Sequence, residues 1–188
     1  MLTEEVRTMA YVLLGFLCLR AFTQYDILKA LKMRVSPFYQ PSLGSIQTTL
    51  KKLLAEGLVT VEQTQSGRKK SIYRITEEGK KAFEDWMRAD TYDMNVARLD
   101  AELSTRLFFL GLVAPRERKQ IVKTASDHLE KMLMEYENAD ELYTKATCPA
   151  GFEDVARFQL KTLSMGIHQL SSMLDWLREL YHELEEHT

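Results

Sequence analysis

Ala156, Leu160, Leu163, Ile167, Leu170, Leu174, Leu177, Tyr181 and Leu184 follow one another at alternating spacings of four and three. That period places them along one face of an α-helix, sustained over about four heptads. The spacing predicts a helix from about Glu153 to Leu184. A stripe of this length has to be covered, either by the chain's own helices or by a partner chain. Leu160, Leu163, Ile167, Leu170, Leu174, Leu177 and Tyr181 are therefore expected to serve dimerisation.

The segments before it are also helical. Leu99 to Val113 reads as one helix ending before Pro115, and Arg116 to about Lys145 as a longer one. Cys148-Pro149-Ala150-Gly151 reads as the loop between the two longest helices. The first half has a different rhythm. Val6, Met9, Ala10, Leu13, Leu14 and Leu17 mark a helix over residues 5–19, in which Gly15 permits a close packing contact. Thr23 reads as the N-cap of a second helix, with Asp26 three residues on and Ile27, Leu28, Leu31 and Val35 facing inward; Pro37 ends the pattern. Ser42 caps a third helix whose inner stripe is Ile46, Leu50, Leu53 and Leu54, and Gly57 suits its C-cap. Residues 58–64 and 70–76 read as a hairpin around Gln65-Ser66-Gly67. Thr76 caps a fourth helix that reaches about Arg88, with Ala82, Phe83 and Trp86 inward.

Three helices, a hairpin and a helix form the order of a winged helix-turn-helix. The expected architecture is mainly α: an α+β winged helix-turn-helix domain over 1–90, then an all-helical dimerisation domain over 91–188. Charge divides the same way. Residues 20–81 hold 12 Lys or Arg against 5 Asp or Glu, a net of +7, while residues 91–188 hold 11 against 17, a net of −6. The whole chain, at −2, hides this asymmetry. A basic front module is an anion-facing one.

Several classes of function find no support. No dinucleotide fingerprint, Walker A loop, zinc-protease helix motif or nucleophile elbow is present. His128, His168, His182 and His187 all lie in the helical half, and the carboxylates are spread over helix surfaces such as Glu183 to Glu186. An enzyme is not expected, nor a metal or cofactor. The longest nearly apolar run, Met9 to Leu19, is too short to span a bilayer and lacks a cleavage signal, so no membrane partner is expected. Cys18 and Cys148 form no disulfide pattern, which fits a cytoplasmic protein.

The expected partner is double-stranded DNA. The third helix, 42–56, can enter a major groove, where base pairs are distinguishable. Ser45, Thr48 and Thr49 would offer short hydrogen-bonding side chains to the bases, with Ser42 at the helix N-terminus, Lys51 and Lys52 at phosphates, and Gln47 belongs to the same DNA-binding set. The wing, 64–71, would add Arg68, Lys69 and Lys70, with Tyr25, Tyr73 and Arg74 nearby. A helix-hairpin domain can also act mainly through protein contacts, and the sequence leaves that alternative open.

Particular residues then point to a family. Tyr25-Asp26-Ile27, Ser42-Leu43-Gly44-Ser45-Ile46, the Leu50–Val59 run ending in Glu56-Gly57-Leu58-Val59, and the wing elements Gly67-Arg68-Lys69-Lys70 and Tyr73-Arg74-Ile75-Thr76 resemble the PadR family of bacterial transcriptional regulators. Leu103 to Leu110, L-x-x-R-L-F-F-L, resembles the larger C-terminal domain of its virulence-activator branch. The resemblance implies a homodimer on an inverted-repeat operator, usually a repressor, whose C-terminal helices dimerise. It also implies release by a small aromatic effector, for which Trp86, Tyr92, Phe108, Phe109 and Trp176 are candidates. The chain departs from the family at Gln24, where many members have glycine, and at Gln47 and Thr48, where a tyrosine and a proline are usual.

Overall fold

The structure, a computed structural model, describes residues 4–34, 42–63, 70–92, 96–145 and 148–186. Seven helices are described: α1 (Glu4–Leu19), α2 (Gln24–Arg34), α3 (Leu43–Ala55), α4 (Glu77–Arg88), α5 (Val96–Phe108), α6 (Pro115–Lys145) and α7 (Glu153–Glu186). Three strands, β1 (Phe22–Thr23), β2 (Val59–Gln63) and β3 (Ser71–Ile75), form an antiparallel sheet in the order β1-β3-β2. Val35, Pro37, Pro41, residues 64–69 and His187 lie outside the described residues.

The chain divides into two compact units, residues 1–89 with 100–113, and residues 90–99 with 114–188. This division differs from the sequence boundary at 90/91, because residues 100–113 pack with the first unit. The reason is aromatic. Phe109 lies edge-on to Phe16 and Phe83, and its ring fills the space where a side chain at Gly15 would be. The long helix expected over Leu99–Val113 also differs: α5 ends at Phe108, and a 3-10 turn follows over Leu110–Leu112. Pro115 occupies the first position of α6, where its missing N–H costs nothing.

In the first unit, Leu13, Leu14 and Leu17 of α1, Ile27 and Leu31 of α2, Ile46, Leu50 and Leu53 of α3, and Phe83 and Met87 of α4 make one buried core. Thr23 does cap α2: its hydroxyl donates to Asp26 Oδ2 at 2.8 Å and accepts from the Asp26 N–H at 3.2 Å. The same residue belongs to β1, which pairs with β3 through Phe22–Tyr73 and Thr23–Ile72. Two residues carry no period, so this strand left no mark in the sequence pattern.

Cys18 is partly covered. Burial pushes its thiol up to about 11, against the pull of the Lys80 ammonium and with a small addition from Glu84. At pH 8 only roughly one such thiol in a thousand is a thiolate, the reactive form. Iodoacetamide is therefore expected to modify Cys18 about two orders of magnitude more slowly in the folded protein than in denaturant. Peptide mass spectrometry of timed samples reads the two rates, and equal rates would place Cys18 outside the core.

The second unit centres on an antiparallel α6–α7 hairpin. Lys119 at the start of α6 pairs with Glu185 near the end of α7 at 2.7 Å, and Glu130 pairs with Arg178 at 2.8 Å. Leu170, Leu174 and Leu177 of the heptad stripe are buried, as are Val122, Ala125, Leu129 and Met132 of α6. Ala156, Leu160, Leu163 and Ile167 are only half-covered. The middle of the stripe is thus satisfied inside the chain, while Ala156 to Ile167 before it and Tyr181 and Leu184 after it are only half-covered.

Candidate nucleic-acid interface

The candidate interface is built on α3, whose start and stop are both defined by hydrogen bonds. Ser42 has extended backbone (φ −78°, ψ 156°), and its hydroxyl accepts from the Ser45 N–H at 3.1 Å. The Ser45 hydroxyl donates back to the Ser42 carbonyl at 2.8 Å. At the other end Leu58 N–H donates to Leu53 O and Gly57 N–H to Leu54 O, the two bonds of a Schellman stop. Gly57 has φ +72°, a conformation glycine adopts without a Cβ clash. The buried stripe Ile46, Thr49, Leu50 and Leu53 turns one face of α3 into the core.

The opposite face is polar. Gly44, Gln47, Thr48 and Lys51 are exposed and sit at i, i+3, i+4 and i+7, a single line along the helix. Ser42 and Ser45 are exposed at its head, and Lys52 lies half-covered at its edge. Thr49 does not belong to this face. It is 3% exposed, and its hydroxyl donates to the Ser45 carbonyl at 2.9 Å. The sequence set it among the base-facing residues; three positions after Ile46 and four before Leu53, it joins the buried stripe instead.

The surroundings of α3 are held by Thr76. Its hydroxyl donates to Gly57 O at 2.9 Å and accepts from the Gly79 N–H at 3.0 Å, while its own N–H donates to Leu58 O at 3.1 Å. One residue therefore ties the end of β3 and the start of α4 to the exit of α3. In the sequence it reads only as a helix cap. Tyr25, in the first turn of α2, is 70% exposed. On the hairpin, Lys70 is exposed and Tyr73 half-buried between Phe22 and Val61 partners in register. Arg74 pairs with Glu62 across the strands at 3.4 Å, so part of its charge is met inside the hairpin. Arg68 and Lys69 lie outside the described residues.

The aromatic residues singled out for an effector do not converge. Trp86 and Phe109 are core residues of the first unit; Trp86 stacks on Tyr11 with centroids 4.5 Å apart. Phe108 is partly exposed in that unit. Tyr92 belongs to the second unit, buried against the His128 ring, and Trp176 is exposed on α7. The second unit instead has an open groove of about 980 Å³ whose walls include Tyr136, Tyr143, Phe152, Leu160 and Leu163. Sequence reasoning missed it because Tyr136 and Tyr143 of α6 meet Phe152 and the first turns of α7 only through the folding of the hairpin.

Another residue had no assigned role. Arg106 is buried, donating to Glu102 Oε1 at 2.7 Å and to the Ala89 carbonyl at 2.6 Å, with its guanidinium 4.9 Å from the Trp86 ring centre. The available signal was its place in L-x-x-R-L-F-F-L, with a glutamate four residues before it.

Residues 13–85 match the Transcriptional regulator PadR-like family, and residues 101–185 match the Virulence activator alpha C-term family. The chain belongs to the PadR-like family of transcriptional regulators. The Negative transcriptional regulator PadR of Bacillus subtilis (strain 168) is 22% identical over 177 residues, covering 93% of this chain and 96% of that protein. Its crystal structure with operator DNA aligns over 93% of this chain and 98% of its own, at 21% identity and a TM-score of 0.43. The Vibrio cholerae virulence activator AphA aligns over 96% and 99%, at 22% identity and a TM-score of 0.40. This PadR-like chain carries the two matched segments one after the other. Among its described residues, no helix is long and apolar enough to cross a membrane, and no group of His, Cys, Asp or Glu is arranged to hold a metal ion.

Proposed function

We propose that this regulator acts as a homodimeric repressor that binds an inverted-repeat DNA operator, with α3 of each protomer in a major groove. The observation that carries the reading is the exposed line Gly44, Gln47, Thr48 and Lys51, set directly against the buried stripe of the same helix. A polar helix face with a lysine at its far end offers hydrogen-bonding groups to base edges and a charge to phosphate. Lys70 of the hairpin extends the basic surface, and the wing residues Arg68 and Lys69 add charge in the sequence. The DNA-binding module is placed over residues 1–90 and the dimerisation module over residues 91–188.

Dimerisation is assigned to the exposed side of α7. Phe158, Met165 and Trp176 are 62%, 66% and 52% exposed, a run of large apolar side chains that a lone protomer leaves in water. The half-covered Leu160, Leu163 and Ile167 lie on the same helix. A small aromatic effector that weakens DNA binding is assigned to the groove beside it, against Tyr136, Tyr143 and Phe152.

Two measurements test the reading together. Sedimentation should give a dimer for the wild type and a monomer for the folded Phe158→Glu/Met165→Glu variant, because burying a carboxylate in an apolar interface is costly. The same variant should lose operator affinity by at least about a hundredfold, since the second recognition helix no longer binds as part of one body. A variant that remains a dimer would remove the Phe158/Met165 side of α7 from the interface and leave the heptad stripe as the candidate. Wild-type protein that ignores duplex DNA at low salt would leave protein contacts as its mode of action.

A further inference from the structure

Most of the described glycines have a reason inside the chain. A Cβ at Gly15 would meet the Phe109 ring at 2.5 Å, one at Gly166 would meet Tyr136 at 3.1 Å, and one at Gly79 would run into the Leu58 carbonyl. Gly57 and Gly151 have φ of +72° and +87°. Gly44 has none of these reasons. Its backbone is outside the left-handed region, it lies within α3, and an added Cβ would meet only Ser42 Oγ, at the ordinary contact distance of 3.7 Å. Gly111 is similarly open, but it belongs to a three-residue 3-10 turn. Within an α-helix glycine is a poorer choice than alanine, because its backbone loses more freedom on ordering. For the isolated protomer, alanine at 44 would be the better residue.

The position of Gly44 supplies what the interior does not. It stands at the head of the exposed line that continues through Gln47, Thr48 and Lys51. We propose that Gly44 is a close-approach position for duplex DNA: the missing Cβ lets the nucleic acid come against the backbone of α3, and so sets how deeply Gln47 and Thr48 reach. The inference rests on α3 being the DNA-contacting helix. It assigns Gly44 a positioning role, with no hydrogen bond of its own side chain and no charge.

The test uses the full-length protein and a duplex recovered by the wild type from a random-sequence pool. Gly44→Ala and Gly44→Leu are compared with Lys51→Ala. Gly44→Ala should bind roughly ten- to a hundredfold more weakly, the range expected when a methyl is forced into a close-packed contact. Gly44→Leu should bind more weakly still. The melting temperature of Gly44→Ala should stay the same or rise. Weaker binding by Lys51→Ala with unchanged binding by both Gly44 variants overturns the role of Gly44 and leaves α3 as the DNA helix. Unchanged binding by all three overturns both. A lower melting temperature for Gly44→Ala also overturns the inference, because the fold itself would then require the glycine.

Discussion

Arg106→Ala is expected to lose about 3–5 kcal/mol of stability, the cost of removing one partner from a buried ion pair. Arg106 and Glu102 have side chains only 1% and 4% exposed. Without the guanidinium, the Glu102 carboxylate stays in a space with little water. The Ala89 carbonyl, which closes α4, loses the donor that reaches it from α5. The Trp86 ring loses the cation above it and keeps Tyr11 stacked at 4.5 Å and the tilted Phe83 ring at 6.2 Å. Native domains are stable by about 5–15 kcal/mol, so the loss is a large fraction of the whole. Urea denaturation followed by tryptophan fluorescence reads it, because Trp86 lies within the affected cluster. Glu102→Leu/Arg106→Met should recover most of the loss, since no charge is then left uncompensated. A cost below about 1 kcal/mol for Arg106→Ala would match an exposed pair and would contradict the burial.

The recoverable part of this fold was the part written in periods and caps. Ser42, Gly57 and Thr76 each combine a residue type with a unique local hydrogen-bonding task, so the ends of α3 and the start of α4 could be placed from sequence. The stripe of α7 was visible for the same reason. What stayed hidden depends on three-dimensional neighbours. Thr49 resembles its polar neighbours in composition, and only the helix angle turns its hydroxyl to the Ser45 carbonyl. Residues 100–113 read as part of the helical half because nothing local says that Phe109 will fill the space over Gly15. The five aromatic residues offered for an effector were chosen by type, and type cannot separate the core packing of Trp86 from the exposure of Trp176. Arg106 was likewise visible as a motif letter, while its role needed the Ala89 carbonyl from another helix.

Lys51→Ala and the pair Gln47→Ala/Thr48→Ala should damage DNA binding in two different ways. Lys51 ends the exposed line of α3 as an ammonium on a flexible stem, suited to a phosphate oxygen. Losing one phosphate contact per protomer should flatten the slope of log affinity against log salt by about 1.8 for a dimer, because each contact releases roughly 0.9 of a counterion. Affinity should fall by a similar factor on every duplex tested. Gln47 and Thr48 carry no charge, so their removal should leave the slope unchanged. They can, however, exchange hydrogen bonds with base edges, and losing such contacts should reduce discrimination between bases by about 1–3 kcal/mol per position. Titrations of a selected duplex and its single-base variants across a salt series separate the two effects. If Gln47→Ala/Thr48→Ala weakens all duplexes equally, the mid-face of α3 contacts the backbone and sequence reading must come from elsewhere. If Lys51→Ala leaves the salt slope untouched, the positive end of that face is not at phosphate, and the basic surface of the hairpin has to account for the electrostatic attraction.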